Sequence, residues 1–232
     1  KQFPGKTYNE VQFDCDWTPR SRQGFFLFLE KIKQHLPGNT TLSATIRLHQ
    51  YKFPEKTGVP PVDRGMLMLY NTGDIENPEG GNSIFTAETA NTYIQGAPER
   101  YPLPLDVAVA VYAWTLVYRD GLFWKILPDV GDELQDTTRF LREAQTPPHC
   151  ERYKVISGTF LAGHYLRPED QLRLETIDPE LLSDALKLLP QIDLASDATL
   201  AFFHLDSSAV VRFPAATLQN LCDSLAYPLK AR

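Results

Sequence analysis

The sequence predicts an α/β chain built from consecutive strand–helix units on a parallel sheet, and three observations predict it. Five segments carry β-branched or aromatic residues with alternating polarity, at residues 10 to 17, 42 to 51, 65 to 71, 106 to 118 and 199 to 206. Helix-period segments lie between them, as parallel neighbours require, because their crossovers run to about a dozen residues or more and are usually helical. In each strand one face is aliphatic or aromatic while the other grows polar toward the C-terminal end. With 232 residues, 43% of them hydrophobic, the chain is long enough for one sizeable core. The pattern by itself leaves open whether the sheet stays flat or closes into a barrel.

The two-residue period assigns side chains to faces. In the first strand Gln12, Asp14 and Asp16 oppose Val11, Phe13, Cys15 and Trp17. A helix follows over residues 21 to 36, where Phe25, Phe28, Leu29, Ile32 and Leu36 recur at helical spacing and Pro37-Gly38 ends the run. The second strand sets Thr45, Arg47, His49 and Tyr51 against Leu42, Ala44, Ile46 and Leu48, and the third sets Met66, Met68 and Tyr70 against Leu67 and Leu69. After a helix over 85 to 94, the fourth sets Ala108, Ala110, Tyr112 and Trp114 against Val107, Val109 and Val111.

The rhythm then breaks. Residues 120 to 198 read as an insertion within a single domain spanning 1 to 232. Its polar stretch holds Asp129, Asp132, Glu133 and Asp136, followed by Pro147-Pro148 and the segment from Gly158 to Tyr165, and a short β-hairpin is expected somewhere within the insertion. Helices are expected at 179 to 189 and 214 to 225. The fifth strand sets Phe202, His204 and Asp206 against Phe203 and Leu205.

A net charge of −6 with scattered Lys and Arg gives no footprint for a phosphate backbone, so nucleic acid is not an expected partner. No run approaches the roughly 18 to 20 apolar residues of a membrane span. Cys15, Cys150 and Cys222 are widely spaced, which argues against a zinc site or a disulfide framework. The chain opens on Lys-Gln-Phe-Pro, from which a removed leader or a longer parent chain is expected.

Phe13-Asp14-Cys15-Asp16-Trp17 resembles the signature of family 18 glycoside hydrolases, the chitinase-like barrels, whose fourth strand ends Asp-x-x-Asp-x-Asp-x-Glu. Val11 replaces the first Asp, and Thr18 stands where the catalytic Glu would be. Met68-Leu69-Tyr70-Asn71 is similar to the Met-x-Tyr-Asp of that family's sixth strand. In order and spacing these motifs, over most of residues 10 to 118, resemble bacterial proteins described as glycosidase-like (β/α) barrels. The resemblance implies a TIM-like barrel represented by its fourth to eighth strands, with an insertion before the last. It also implies an extracytoplasmic setting, no cofactor, and a glycan or other small polar ligand at the strand C-termini. An N-terminal segment or a partner chain would then complete the barrel, because an open piece exposes strand edges.

Inward carboxylates at strand ends suit glycoside chemistry, which needs an acid and a nucleophile or base. Asp14, Asp16 and Asp206 are the catalytic candidates, Asp16 as acid or electrostatic stabiliser with Asp206 across the mouth. An inward Arg47 would pair with Asp14 or Asp16 and favour the anion over a proton donor. Arg47, His49, Tyr51, Tyr70, Asn71, Tyr112, Trp114 and His204 are the binding candidates, the aromatic rings matching apolar sugar faces. His49 and His204 share no short ligand motif with a carboxylate, so no metal is expected. Two readings follow: a glycoside-hydrolase-like carbohydrate-active protein, or a silent barrel serving as a glycan-binding or assembly module. Thr18 favours the second, since a hydroxyl is too weak an acid to protonate a glycosidic oxygen.

Overall fold

The computed structural model of the chain describes residues 8–204, 206–225 and, as backbone, 230–231. Residues 1–7, with the opening Lys-Gln-Phe-Pro, and Leu205 of the fifth expected strand lie outside the described residues.

Six strands form one parallel sheet in the order β1 (Glu10–Phe13), β2 (Thr41–Arg47), β3 (Arg64–Leu69), β4 (Leu105–Ala110), β12 (Thr199–Phe203) and β13 (Lys230–Ala231). Between the first four lie α1 (Arg22–His35), two short helices α2 (Leu48–Lys52) and α3 (Pro54–Thr57), and α4 (Ala87–Ile94). Trp17 pins the entry to α1: its ring stacks on Phe25 at 5.6 Å and its indole N–H donates to the Thr57 carbonyl at 2.9 Å. Leu29 of α1 packs with Leu42, Ala44 and Val62 under the sheet. The result is a mixed α/β fold with a curled, parallel half-barrel sheet.

The register defines its two faces. Ile46, Leu67, Val107 and Leu200 are partners along one row and all fully buried. Burying such aliphatic side chains contributes about 1.5–3 kcal/mol each. The opposite face carries Gln12, Ser43 and Arg64 in one row, then Thr45, Met66 and Asp106, then Arg47, Met68, Ala108 and Ala201.

Four strand expectations need correction. The first strand ends at Phe13 rather than running to 17, so Asp14 and Asp16 lie just past it. The second strand stops at Arg47 rather than running to 51, because the Gln50 side chain accepts from the Arg47 backbone N–H at 2.8 Å and starts α2. The stretch 106 to 118 is two strands, β4 and β5 (Ala113–Arg119), in different sheets. Val111 still donates to Phe203 at 2.8 Å, whereas the next carbonyl, Tyr112, accepts from Ile177, the residue that follows the last strand of the other sheet to pair with β5. No glycine or proline marks the switch, so the alternating pattern runs straight through it. The fifth strand has the opposite parity to that expected. Phe203 pairs with Ala110 on the polar-ended face and Phe202 with Val109 on the aliphatic one, a choice the Phe-Phe run does not disclose.

From β5 the chain builds an antiparallel sheet in the order β6 (Leu122–Leu127), β5, β11 (Gln171–Thr176), β8 (Cys150–Val155) and β7 (Phe140–Arg142). The insertion carries a hairpin, as expected, formed by β9 (Thr159–Leu161) and β10 (His164–Leu166). This sheet has its own apolar core around Val117, Phe140, Tyr153 and Leu172. The helix α5 (Pro179–Leu186), capped by the Asp178 carboxylate, leads back to β12. After β12 come α6 (Ser207–Arg212) and α7 (Ala215–Asp223). No helix of the described residues is long and apolar enough to cross a membrane.

Candidate functional site

Because the parallel strands run the same way, their C-terminal ends gather at one rim, and most of the candidate residues stand there. Asp14 and Asp16 leave β1 and are exposed. Asp14 accepts a hydrogen bond from the Thr45 hydroxyl of β2 at 2.9 Å. Arg47, the last residue of β2, places Nε 3.0 Å from Asp16, and both side chains remain open to solvent. Of the two partners expected for Arg47, Asp14 and Asp16, the ion pair is with Asp16.

A cleft of about 130 Å³ lies beside it, lined by Arg47, His49, Met68, Tyr70, Asn71 and Tyr93 among others. His49 sits on α2 rather than on a strand. Burial, aided by the Arg47 charge and opposed by Asp16, lowers its pKa and favours the neutral ring. Burial and then the Asp14 charge push the Tyr70 phenol up, so it stays protonated and can donate. Asn71 adopts the left-handed backbone region at φ 55° and accepts from the Tyr112 hydroxyl at 2.7 Å.

The aromatic residues form one connected group. Phe203 lies flat against Tyr70, with centroids 5.4 Å apart and planes 2° apart, and meets Tyr112 edge-on at 6.0 Å. Tyr112 in turn touches Trp114 at 5.4 Å and stacks on His204 at 5.6 Å. Tyr70 and Tyr112 are buried, Trp114 is partly buried, and Phe203 is 40% exposed, so it offers the group's open face to solvent.

Asp206 caps α6. Its carboxylate accepts from the Ala209 backbone N–H at 2.6 Å, from the Ser208 hydroxyl at 2.9 Å, and lies 2.9 Å from His204 Nε2. The Ala209 N–H first, then Ser208 and His204, hold its pKa below the usual carboxylate range. Tyr51 stands apart: it is buried on α2 against Tyr101, its hydroxyl accepting from the Asp193 N–H.

Three residues at the rim were missed. Phe203 was hidden by the inverted parity and Tyr93 by its place on α4. Glu175 was hidden inside the insertion, although it is fully buried and accepts from the Trp114 indole at 2.7 Å. The Arg173–Glu175 pair two residues apart on a strand was the available signal. Among the described residues no group of three or more His, Cys, Asp or Glu side chains has metal-binding geometry.

No family model matches the sequence, and no curated protein matches it. The likeness is to solved structures. A chitinase from Chromobacterium violaceum superposes with a TM-score of 0.52 at 12% identity over 88% of this chain and 65% of that one. The spore cortex-lytic enzyme SleL from Bacillus cereus gives 0.51 at 14% identity over 97% of this chain and 50% of that one. The chain thus spans less than two thirds of the chitinase and half of the cortex-lytic enzyme, and what it shares with them at this identity is the fold.

Proposed function

We propose that this chain binds a glycan across the C-terminal ends of its parallel strands and does not cleave it. One observation carries the reading: an aromatic group with the open face of Phe203 at the rim stands with carboxylates and a guanidinium whose positions suit sugar hydroxyls. The chitinase-like fold supports a carbohydrate ligand.

The geometry speaks against hydrolysis. A glycosidic acid must hold a proton near neutral pH. Asp206 is held ionised by its cap, and Asp16 is ion-paired with the Arg47 guanidinium. Thr18, at the position of the family acid in the resemblance, spends its hydroxyl on the Ser21 turn that opens α1. In this reading β1, β2, β3, β4 and β12 stand for barrel strands four to eight, residues 120 to 198 are an insertion in one domain, and a preceding segment or a partner chain supplies the remaining strands. The bacterial glycosidase-like family of the resemblance and an extracytoplasmic setting belong to the same proposal.

The test is calorimetric titration with a chito-oligosaccharide series and soluble spore-cortex fragments, alongside an assay for released reducing ends. Saturable binding that weakens in Asp14→Asn and Asp16→Asn, with no release, is expected. Release of reducing ends that those substitutions abolish would replace binding by hydrolysis, and absence of binding to every glycan would overturn both.

A further inference from the structure

The second sheet reaches the rim through one buried carboxylate. Glu175 of β11 is 0% exposed, and its Oε2 accepts three hydrogen bonds: from the Ser83 backbone N–H at 2.9 Å, the Ser83 hydroxyl at 2.6 Å and the Trp114 indole at 2.7 Å. Its other oxygen faces Arg173 Nε at 2.6 Å, and Arg173 is 1% exposed.

The guanidinium in turn donates to the carbonyls of Asn77, Gly80 and Asp74, all on the long loop between β3 and α4. Asn82 of that loop donates to the carbonyls of His149 and Thr176 on the second sheet. Gly73 lies so close to Ser83 that an added Cβ would come within 2.7 Å of the Ser83 Cα. The loop that starts with Asn71 is thereby folded back on itself and tied to β11.

A buried ion pair adds little net stability over an apolar pair of the same shape, so its geometry is what it contributes. Here that geometry fixes the plane of the Trp114 ring, which touches Tyr112, and the path of the loop whose Asn71 accepts from the Tyr112 hydroxyl. Both links end in the aromatic group at the rim.

We propose that Glu175 is a positioning residue for the glycan site: it sets ligand affinity from the second sheet by orienting Trp114 and the Asn71–Phe85 loop without touching the ligand. The inference rests on the glycan reading above.

The experiment follows the three indole N–H resonances of the whole chain by NMR during titration with a chito-oligosaccharide, in the wild type, Glu175→Gln and Ser83→Ala. Trp114→Phe assigns the Trp114 signal by its loss. Ser83→Ala removes one donor and keeps the charge pair, so it answers even where Glu175→Gln fails to fold. The ligand is expected to move the Trp114 resonance in the wild type. In the variants that resonance is displaced before ligand is added, and affinity falls by about threefold to tenfold, the scale of one lost hydrogen bond. Unchanged affinity in variants whose Trp114 signal has moved would make Glu175 a fastener only and overturn the inference while leaving glycan binding in place. A wild type that does not titrate would overturn the glycan reading, and the positioning role with it.

Discussion

The rim of the parallel sheet and the second sheet place their charge in opposite ways. At the rim Asp14, Asp16 and Arg47 are open to solvent past or at the strand ends, while the one buried pair of the parallel sheet among the described residues, Asp106 with Arg64, lies at the starts of β4 and β3. In the antiparallel sheet Arg173, Glu175 and Asp170 are buried and hydrogen-bonded to protein partners. Charge left in water at a rim remains free to exchange its partner for a ligand. Charge sealed inside has already been committed to fastening one element to another. The parallel frame therefore presents the site, and the second sheet holds it in shape.

The largest expected effect lies on the sealed side. Arg173→Met strands the Glu175 carboxylate without its cation and releases three loop carbonyls, and breaking such a pair costs about 3–5 kcal/mol. Arg47→Met removes an exposed pair and should cost about 0–1 kcal/mol. Urea midpoints of the two variants measure the difference, and equal shifts would break the distinction between the sheets. Replacing both Arg173 and Glu175 by apolar residues should not restore stability, because Ser83 and Trp114 would then lose their shared acceptor.

A smaller effect separates presentation from fastening at the rim itself. Phe203→Ala removes the stacked pair with Tyr70, worth about 0.5–1.5 kcal/mol of stability. Glycan affinity should fall at least about tenfold, equivalent to ~1.4 kcal/mol. Phe160, on the separate β9–β10 hairpin of the insertion, is also exposed. Phe160→Ala removes a comparable ring contact, with Tyr165 at 5.4 Å, and should leave affinity unchanged. Calorimetry on both variants decides, and a Phe160→Ala that binds as weakly as Phe203→Ala would move the site to the insertion.

The same division explains what the sequence disclosed. Period-two alternation reports burial of one strand face, so the four parallel strands from Glu10 to Ala110 and the helices α1 and α4 were legible to within a few residues, as was a pairing of Arg47 with Asp14 or Asp16 at their rim. Alternation carries no information on which sheet a strand joins, so the run through Val111 and Tyr112 hid a change of sheet. It also fails where both neighbours are aromatic, which inverted Phe202 and Phe203. A side-chain hydrogen bond from Gln50 ended β2 and carried His49 and Tyr51 onto a helix, an event below the resolution of hydrophobic pattern. Glu175 was least legible: its spacing from Arg173 puts the two charges on one strand face, but nothing in the alternation shows that this face is sealed or that the carboxylate is bonded to Ser83, 92 residues away.

The smallest effect expected concerns pH, and it tests the same division with two carboxylates whose pKa values are both depressed. Burial would raise Asp170, but the Arg119 hydrogen bonds outweigh it and hold the carboxyl below its ordinary 3.8. The Ala209 N–H does the same for Asp206. A carboxyl with a lowered folded-state pKa takes up its proton more readily in the unfolded chain. Its contribution to stability is therefore complete above pH 3.8 and is lost as pH falls through the folded value. Asp170 is sealed, its side chain 3% exposed, whereas that of Asp206 is 38% exposed and screened by solvent. Asp206→Asn keeps a good helix cap and should cost under about 0.5 kcal/mol at pH 7. Its urea midpoint should run nearly parallel to the wild type as pH drops. Asp170→Asn should start lower at pH 7, lose less on acidification, and converge with the wild type below pH 3.8. Midpoints measured from pH 7 down to about 3 distinguish the two courses across the window in which carboxylates titrate. A flatter profile for Asp206→Asn than for Asp170→Asn would mean that the rim, not the second sheet, carries the charge on which the fold depends.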